Sequence, residues 1–132
     1  MTDRNGKREV EQAGLAVLDR FMAALNAYDA EAMDACMHFP HIRMAECSVA
    51  VYEAPGNDPM DLFERLKARS NWHHSAWDER ELIQWNDQKA HWQLNYTRYR
   101  EDGSVIGHYD SLYILTLLDD IWGIQARSSF GP

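Results

Sequence analysis

The sequence predicts an α+β fold: three N-terminal helices packed against a curved, mostly antiparallel sheet that forms a cone with a pocket. Two observations carry this. Apolar residues recur at helical spacing early in the chain, in segments punctuated by Asp29, Pro40 and Asp58-Pro59. The C-terminal third, Trp85 to Phe130, then reads as three long strands divided by two tight turns, Glu101-Asp102-Gly103-Ser104 and Asp119-Asp120. Helices followed by a meander segregate to one side of an antiparallel sheet.

Residues 1–8 are expected to form a disordered tail and residues 9–132 a single domain. From Glu9, the residues Val10, Ala13, Gly14, Val17, Phe21, Ala24, Leu25 and Tyr28 fall on one helical face. Leu15, Leu18 and Met22 widen it. Asp29 suits the N-cap of a short second helix, Ala30 to Met37, which Pro40 is expected to end. His41 to Met44 and Ser48 to Tyr52 read as short strands, and Ala54-Pro55-Gly56-Asn57 as a loop. Asp58-Pro59 opens a third helix that runs towards Arg69. The meander begins at Ser75 or Ala76, which leaves His73-His74 in the preceding loop.

If Asp102-Gly103 and Asp119-Asp120 are hairpin centres, cross-strand partners share a face. One face then carries Trp92, Leu94, Tyr96, Tyr109, Tyr113, Leu115, Trp122, Ile124 and Phe130. The other carries His91, Gln93, Asn95, Thr97, Tyr99, His108, Asp110, Leu112, Ile114, Gln125 and Arg127. A one-residue slip in either turn exchanges part of these sets. Both faces need cover, one by the helices and the other by a second subunit, so a homodimer through the sheet is expected.

The net charge of −8 argues against a nucleic-acid partner and against an anionic membrane surface. The polar start lacks an apolar signal core, and no run approaches the ~18 apolar residues of a membrane span. The expected location is cytoplasmic. Cys36 and Cys47 have no CxxC spacing and read as free thiols. Nucleophile-elbow, phosphate-loop and dinucleotide glycine signatures are absent.

Three stretches carry a family resemblance. Leu25-Asn26-Ala27-Tyr28-Asp29-Ala30-Glu31-Ala32-Met33 is a helix-turn-helix centred on an aspartate, and His38-Phe39-Pro40 leads into a strand. The segment Asp119 to Phe130 runs from a turn through Trp122 to Ser128-Ser129-Phe130. Together they resemble the nuclear transport factor 2-like superfamily, which includes ketosteroid isomerase, scytalone dehydratase and polyketide cyclases, over residues 9–130. The resemblance implies the cone fold and leaves function open, because this fold hosts many activities. Counted without gaps, the ketosteroid isomerase tyrosine falls on Phe21, its base on Ala45 beside Glu46, and its second aspartate near Leu112. The scytalone dehydratase-like aspartate falls on Asn26. Neither catalytic set is complete.

The breadth of the first helix's stripe favours the aromatic face against the helices, whereas the gapless comparison puts the mixed face inside. The mixed face is taken here as pocket-lining. His108 and Asp110 then form the candidate acid/base pair of a cofactor-independent isomerase or lyase. Asn26, Tyr28, His41, Arg43, His91 and Asn95 are the candidate substrate-binding residues, with Arg43 suited to a carboxylate. The alternative is a ligand-binding or dimeric interaction module without chemistry. His38-x-x-His41 and His73-His74 match metal-site spacing only loosely, so no metal and no cofactor is expected.

Overall fold

The computed structural model describes residues 2–56 and 62–131. In chain order it contains α1 (Thr2–Asn26), α2 (Ala30–Asp34), β1 (Met37–Ala45), β2 (Ser48–Tyr52), α3 (Leu62–Ser70), β3 (Trp72–Trp85), β4 (Lys89–Arg100), β5 (Val105–Leu118) and β6 (Ile121–Ser129). The strands form one open six-stranded sheet in the order β2-β1-β6-β5-β4-β3. Every pairing is antiparallel except β1 with β6. The α+β fold is therefore the one expected.

Several boundaries differ from expectation. Helix α1 begins at Thr2, within the stretch expected to be a tail. The expected helix start at Asp58-Pro59 lies outside the described residues. Asp29 caps α2 as expected, its carboxylate accepting from the Ala32 amide at 3.1 Å. That helix ends at Asp34, however, and Pro40 lies inside β1. A strand tolerates proline where its ladder is interrupted, and the β1–β6 register breaks between Met37 and Ile42. Side chains bridge the break. His38 Nε2 donates to the Ile121 carbonyl (2.7 Å), His41 Nδ1 to the Ile124 carbonyl (2.9 Å), and Gln125 Nε2 to the Pro40 carbonyl. Strand β3 begins at Trp72, so His73 and His74 are strand residues and not loop residues.

The β4–β5 register is the expected one: Trp92 pairs with Tyr113 and Tyr96 with Tyr109. At the β5–β6 turn, Asp119 and Asp120 both take positive φ (52° and 63°), as a two-residue hairpin needs. Leu115 accordingly pairs with Ile124. The register then shifts, and Ile114 pairs with Ala126, Tyr113 with Arg127 and Ser111 with Ser129. Gln125 is the extra residue of a β-bulge. Beyond it, Arg127 and Ser129 turn to the aromatic face and become buried, while Phe130 is 76% exposed. The expected faces are thus right for β4 and β5, and reversed for β6 after Ile124.

The helices cover the aromatic face. Val10, Val17, Leu18 and Phe21 of α1 share one buried cluster with Trp92, Leu94, Tyr113, Leu115 and Ile124. This corrects the choice of the mixed face as the inner one, which would have left the aromatic face to a second subunit. A wide apolar helix stripe can be dried only by an apolar sheet face. Trp77 ties the layers together by donating its Nε1 proton to the Leu18 carbonyl at 3.0 Å.

Gly14 sits where Trp92 crosses α1. A Cβ there would lie 2.6 Å from Trp92 Cζ2. Helix propensity favours alanine over glycine by ~1 kcal/mol, but the fully buried indole has no room to withdraw. Gly14→Ala should therefore destabilise the protein, by ~1–3 kcal/mol for overpacking, which urea denaturation would measure. A more stable variant would show that the helix and Trp92 can move apart.

Candidate functional site

The alternating inward residues of β4 and β5, with those of β1 and the shifted part of β6, meet the helices around one cavity. Its volume is about 70 Å³, and it opens outwards. Phe21, Met22 and Leu25 of α1, Met33 of α2 and Leu66 of α3 form the apolar side. The sheet contributes Arg43, Tyr52, Ser75, Trp77, Tyr96, Arg98, Tyr113, Arg127 and Ser129. Trp77 stands edge-on to both Tyr113 and Tyr96, with ring centroids 5.6 and 6.0 Å apart. Tyr96 and Ser129 share a hydrogen bond of 2.9 Å, and the Gly131 amide also donates to Ser129 Oγ.

Three of the lining residues are arginines, and none of the described lining residues is acidic. Arg43 and Arg127 are register partners on adjacent parallel strands. Burial and the Arg127 charge together push the Arg43 pKa below its ordinary value. Arg127 extends past Phe21, its guanidinium carbon 5.2 Å from the ring centroid. Arg98 lies 4.8 Å from the Tyr109 ring centroid.

His41 supports this group from below. It is fully buried. Its Nδ1 proton goes to the Ile124 carbonyl, so Nε2 is the acceptor for Arg127 Nε–H at 2.9 Å. Burial first, and the Arg127 charge second, push its pKa down to about 3. The ring is therefore neutral at physiological pH, with its tautomer set by its two partners. Tyr113, also buried, has its pKa raised by desolvation and stays a phenol.

The expected site residues divide into two groups. Arg43 lines the cavity, and His41 contacts it through Arg127. Asn26 forms the cavity's edge indirectly: its amide clamps the Ser75 backbone, donating to the carbonyl and accepting from the amide, both at 2.8 Å. Tyr28 donates to the His73 carbonyl at 2.8 Å and packs between Phe63 and Trp72. His91, Asn95, His108 and Asp110 lie on the outer face, because their strand positions alternate with the cavity-lining ones. This corrects the expectation that the mixed face lines the pocket. His91 bonds Gln84, and Asn95 Oδ1 accepts from the Glu79 amide at a register break of β3. His108 does not join Asp110. It bonds Thr97 Oγ1 at 2.7 Å, and that hydroxyl donates to Asp78 at 2.6 Å. Among the described residues, no group of three or more His, Cys, Asp or Glu side chains is placed to hold a metal ion.

Sequence reasoning missed Arg98. Arg98 continues the alternation of Trp92, Leu94 and Tyr96, so its inward direction was readable. Arg127 is expected on the mixed face, taken as pocket-lining; it does line the cavity, but from the aromatic face, because the bulge at Gln125 reverses the alternation.

The His41 environment has a consequence for stability. Its pKa is 6.5 ordinarily and about 3 when folded. Between those values the unfolded chain binds a proton that the folded protein refuses. The contribution is fully present above pH 6.5 and is lost as pH falls towards about 3. Its slope is at most ~1.4 kcal/mol per pH unit. Urea denaturation at pH 7 and pH 4.5 should show a steeper acid loss for the wild type than for His41→Gln. Equal slopes would mean that the ring protonates freely in the folded state.

The family model described as NTF2-like protein (DUF6841) matches residues 11–129. Among solved structures, a protein of unknown function with a cystatin-like fold from Nostoc punctiforme is similar at a TM-score of 0.74 and 15% identity, covering 90% of this chain and 88% of that one. A Catenulispora acidiphila structure in complex with S-DNPA is similar at 0.73 and 12% identity, covering 92% of each chain. A ketosteroid isomerase-like protein from Erwinia carotovora atroseptica is similar at 0.63 and 19% identity, covering 92% of this chain and 96% of that one. Identities this low show a shared fold alone. No curated protein matches the sequence. The family match spans nearly all of the chain, and the helices and open mixed sheet are those of the similar solved structures, so the chain belongs to the NTF2-like DUF6841 family.

Proposed function

We propose that this protein binds a small organic molecule inside the cone. The observation that carries this reading is the cavity itself, an apolar wall of helix residues facing a sheet wall with convergent tyrosine, serine and arginine groups. That combination gives a ligand both apolar contact and a fixed orientation. The Catenulispora acidiphila neighbour, solved with S-DNPA, lends support from a protein of the same fold.

Binding without chemistry takes precedence over the isomerase or lyase reading. General acid/base catalysis needs a group that titrates near neutrality within reach of the substrate. The described lining residues include no carboxylate and no histidine, and the tyrosine between Trp77 and Arg127 is held protonated. His108 and Asp110 would have to act outside the cavity.

The outer face offers a place for a second copy of the chain. Val51, Ile42, Ala126 and Ile114 form one row across β2, β1, β6 and β5, and Val49, Met44, Ser128 and Leu112 form the next. Ile42, Met44, Val49, Val51 and Leu112 are exposed. A homodimer through this patch would dry it. No described helix is long and apolar enough to cross a membrane, and a cytoplasmic location belongs to the same reading.

Two measurements test these statements. A thermal-shift screen of small organic molecules should find ligands that stabilise the wild type and not Leu25→Trp, whose indole would fill the cavity. His108→Ala should bind the same ligands unchanged. Stabilisation that survives Leu25→Trp, or vanishes in His108→Ala, would move the site out of the cone. Light scattering should give a dimer mass for the wild type and a monomer mass for Met44→Glu. A monomeric wild type would overturn the interface.

A further inference from the structure

We infer that the cavity is built for an organic anion: a carboxylate, or a similar planar oxyanion, held between Arg43 and Arg127, with His41 as a positioning residue that aims Arg127. This rests on the small-molecule reading above and specifies the chemical class of ligand.

The argument begins with the sheet. Arg43 and Arg127 are register partners in the parallel β1–β6 pair, and both side chains line the cavity. Neighbouring strands lie about 4.8 Å apart. Like charges placed directly opposite destabilise a sheet, and burial sharpens the repulsion. A protein that needed only packing here would carry an apolar residue at one position. A carboxylate fits between two guanidiniums because each presents a planar fork of donors to its oxygens.

Charge distribution points the same way. The chain carries a net charge of −8, yet the described lining residues include three arginines and no acid. Arg43 and Arg127 thus bring positive charge into an apolar recess, where a ligand's charge would be poorly screened by water. The rest of the lining excludes a strongly hydrated inorganic ion as the best fit. Phe21, Met22, Leu25, Met33 and Leu66 call for a carbon body attached to the anionic head.

His41 explains how Arg127 is kept ready. Arginine normally needs an acidic partner to hold its fork in one direction. Here Nε–H is held by the neutral nitrogen of His41, whose other nitrogen is fixed on the Ile124 carbonyl. A neutral acceptor orients the guanidinium without cancelling its charge. An aspartate at that place would hold Arg127 just as firmly and would repel the ligand. Tyr113, the cross-strand partner of Arg127, adds a phenolic donor beside the same spot.

The test compares carboxylates with their neutral, nearly isosteric amides: benzoate with benzamide, cyclohexanecarboxylate with its amide, and butyrate with butyramide. Calorimetric titration at low salt should show at least one carboxylate binding the wild type roughly tenfold or more tighter than its amide, as charge-assisted hydrogen bonds imply. Arg43→Met and Arg127→Met should each erase that preference. His41→Gln should reduce it while leaving amide binding as it was, which a merely structural role would not do. If amides bind in the cavity as tightly as carboxylates, the anion site falls and the small-molecule pocket stands. If neither class binds the wild type, both fall. The wild-type comparison alone decides the matter for any variant whose far-UV spectrum shows that it has not folded.

Discussion

Leu115 pairs with Ile124, Ile114 pairs with Ala126, and the unpaired Gln125 between them governs the chemistry of the interior. Strand side chains alternate, so one extra residue exchanges the two faces for everything that follows. Without the bulge, Arg127 and Ser129 would face outwards and the recess would lose a cation and a hydroxyl. With it, Arg127 stands beside Arg43 and over Phe21. The bulge is itself anchored, because the Gln125 side chain reaches the Pro40 carbonyl and the Thr116 hydroxyl donates to Gln125 Oε1 at 2.8 Å. The interruption in β1 around Pro40 and the extra residue in β6 therefore form one feature. Two irregular segments face each other and satisfy each other's backbone groups through side chains.

The same junction spends the histidines. His38 and His41 look like a metal pair in sequence, three residues apart. In the fold both serve β6 carbonyls that the broken ladder leaves open. A neutral imidazole suits this place because it offers one donor and one acceptor in opposite directions. His41 uses both, linking the Ile124 carbonyl to the Arg127 guanidinium. A lysine or glutamine lacks that rigid two-ended geometry, and a charged ring would be repelled by Arg127.

Much of the fold was legible because its signals are local. The Asp29 cap, the Asp119-Asp120 turn and the β4–β5 alternation each depend on a few adjacent residues, and each was read correctly. The first hairpin, in contrast, closes Arg100 on Ser104 around a three-residue loop and not around Asp102-Gly103 alone, with a compensating register shift beyond Arg98. The site was less legible for two different reasons. The choice of inner face went wrong because a gapless comparison across a sheet with bulges in several strands has no fixed parity. The breadth of the α1 stripe, a simple burial argument, pointed to the right face. Arg127 is put inward only because two errors cancel, the choice of the mixed face and the unforeseen bulge. Gly123, an isolated glycine in a strand, hints at irregularity there but does not place the extra residue at Gln125, which lies opposite the interrupted part of β1. Long-range pairing of that kind is not fixed by a local pattern.

The balance of forces in the recess also limits what it can do. Two titratable groups at its base, His41 and Tyr113, are held away from the neutral range. His41 is kept neutral by burial and by a neighbouring cation, and Tyr113 is kept protonated by desolvation. Proton transfer at neutral pH needs a group that can occupy both states, and these two are each confined to one. The arginines cannot supply a base. What remains is a set of donors aimed inwards against an apolar wall, and this arrangement recognises negative charge better than it moves protons. On the proposed binding of an organic anion, the repulsion between Arg43 and Arg127 is a cost that the ligand relieves. A site of this design gains selectivity for charge from the same interaction that weakens the unliganded fold.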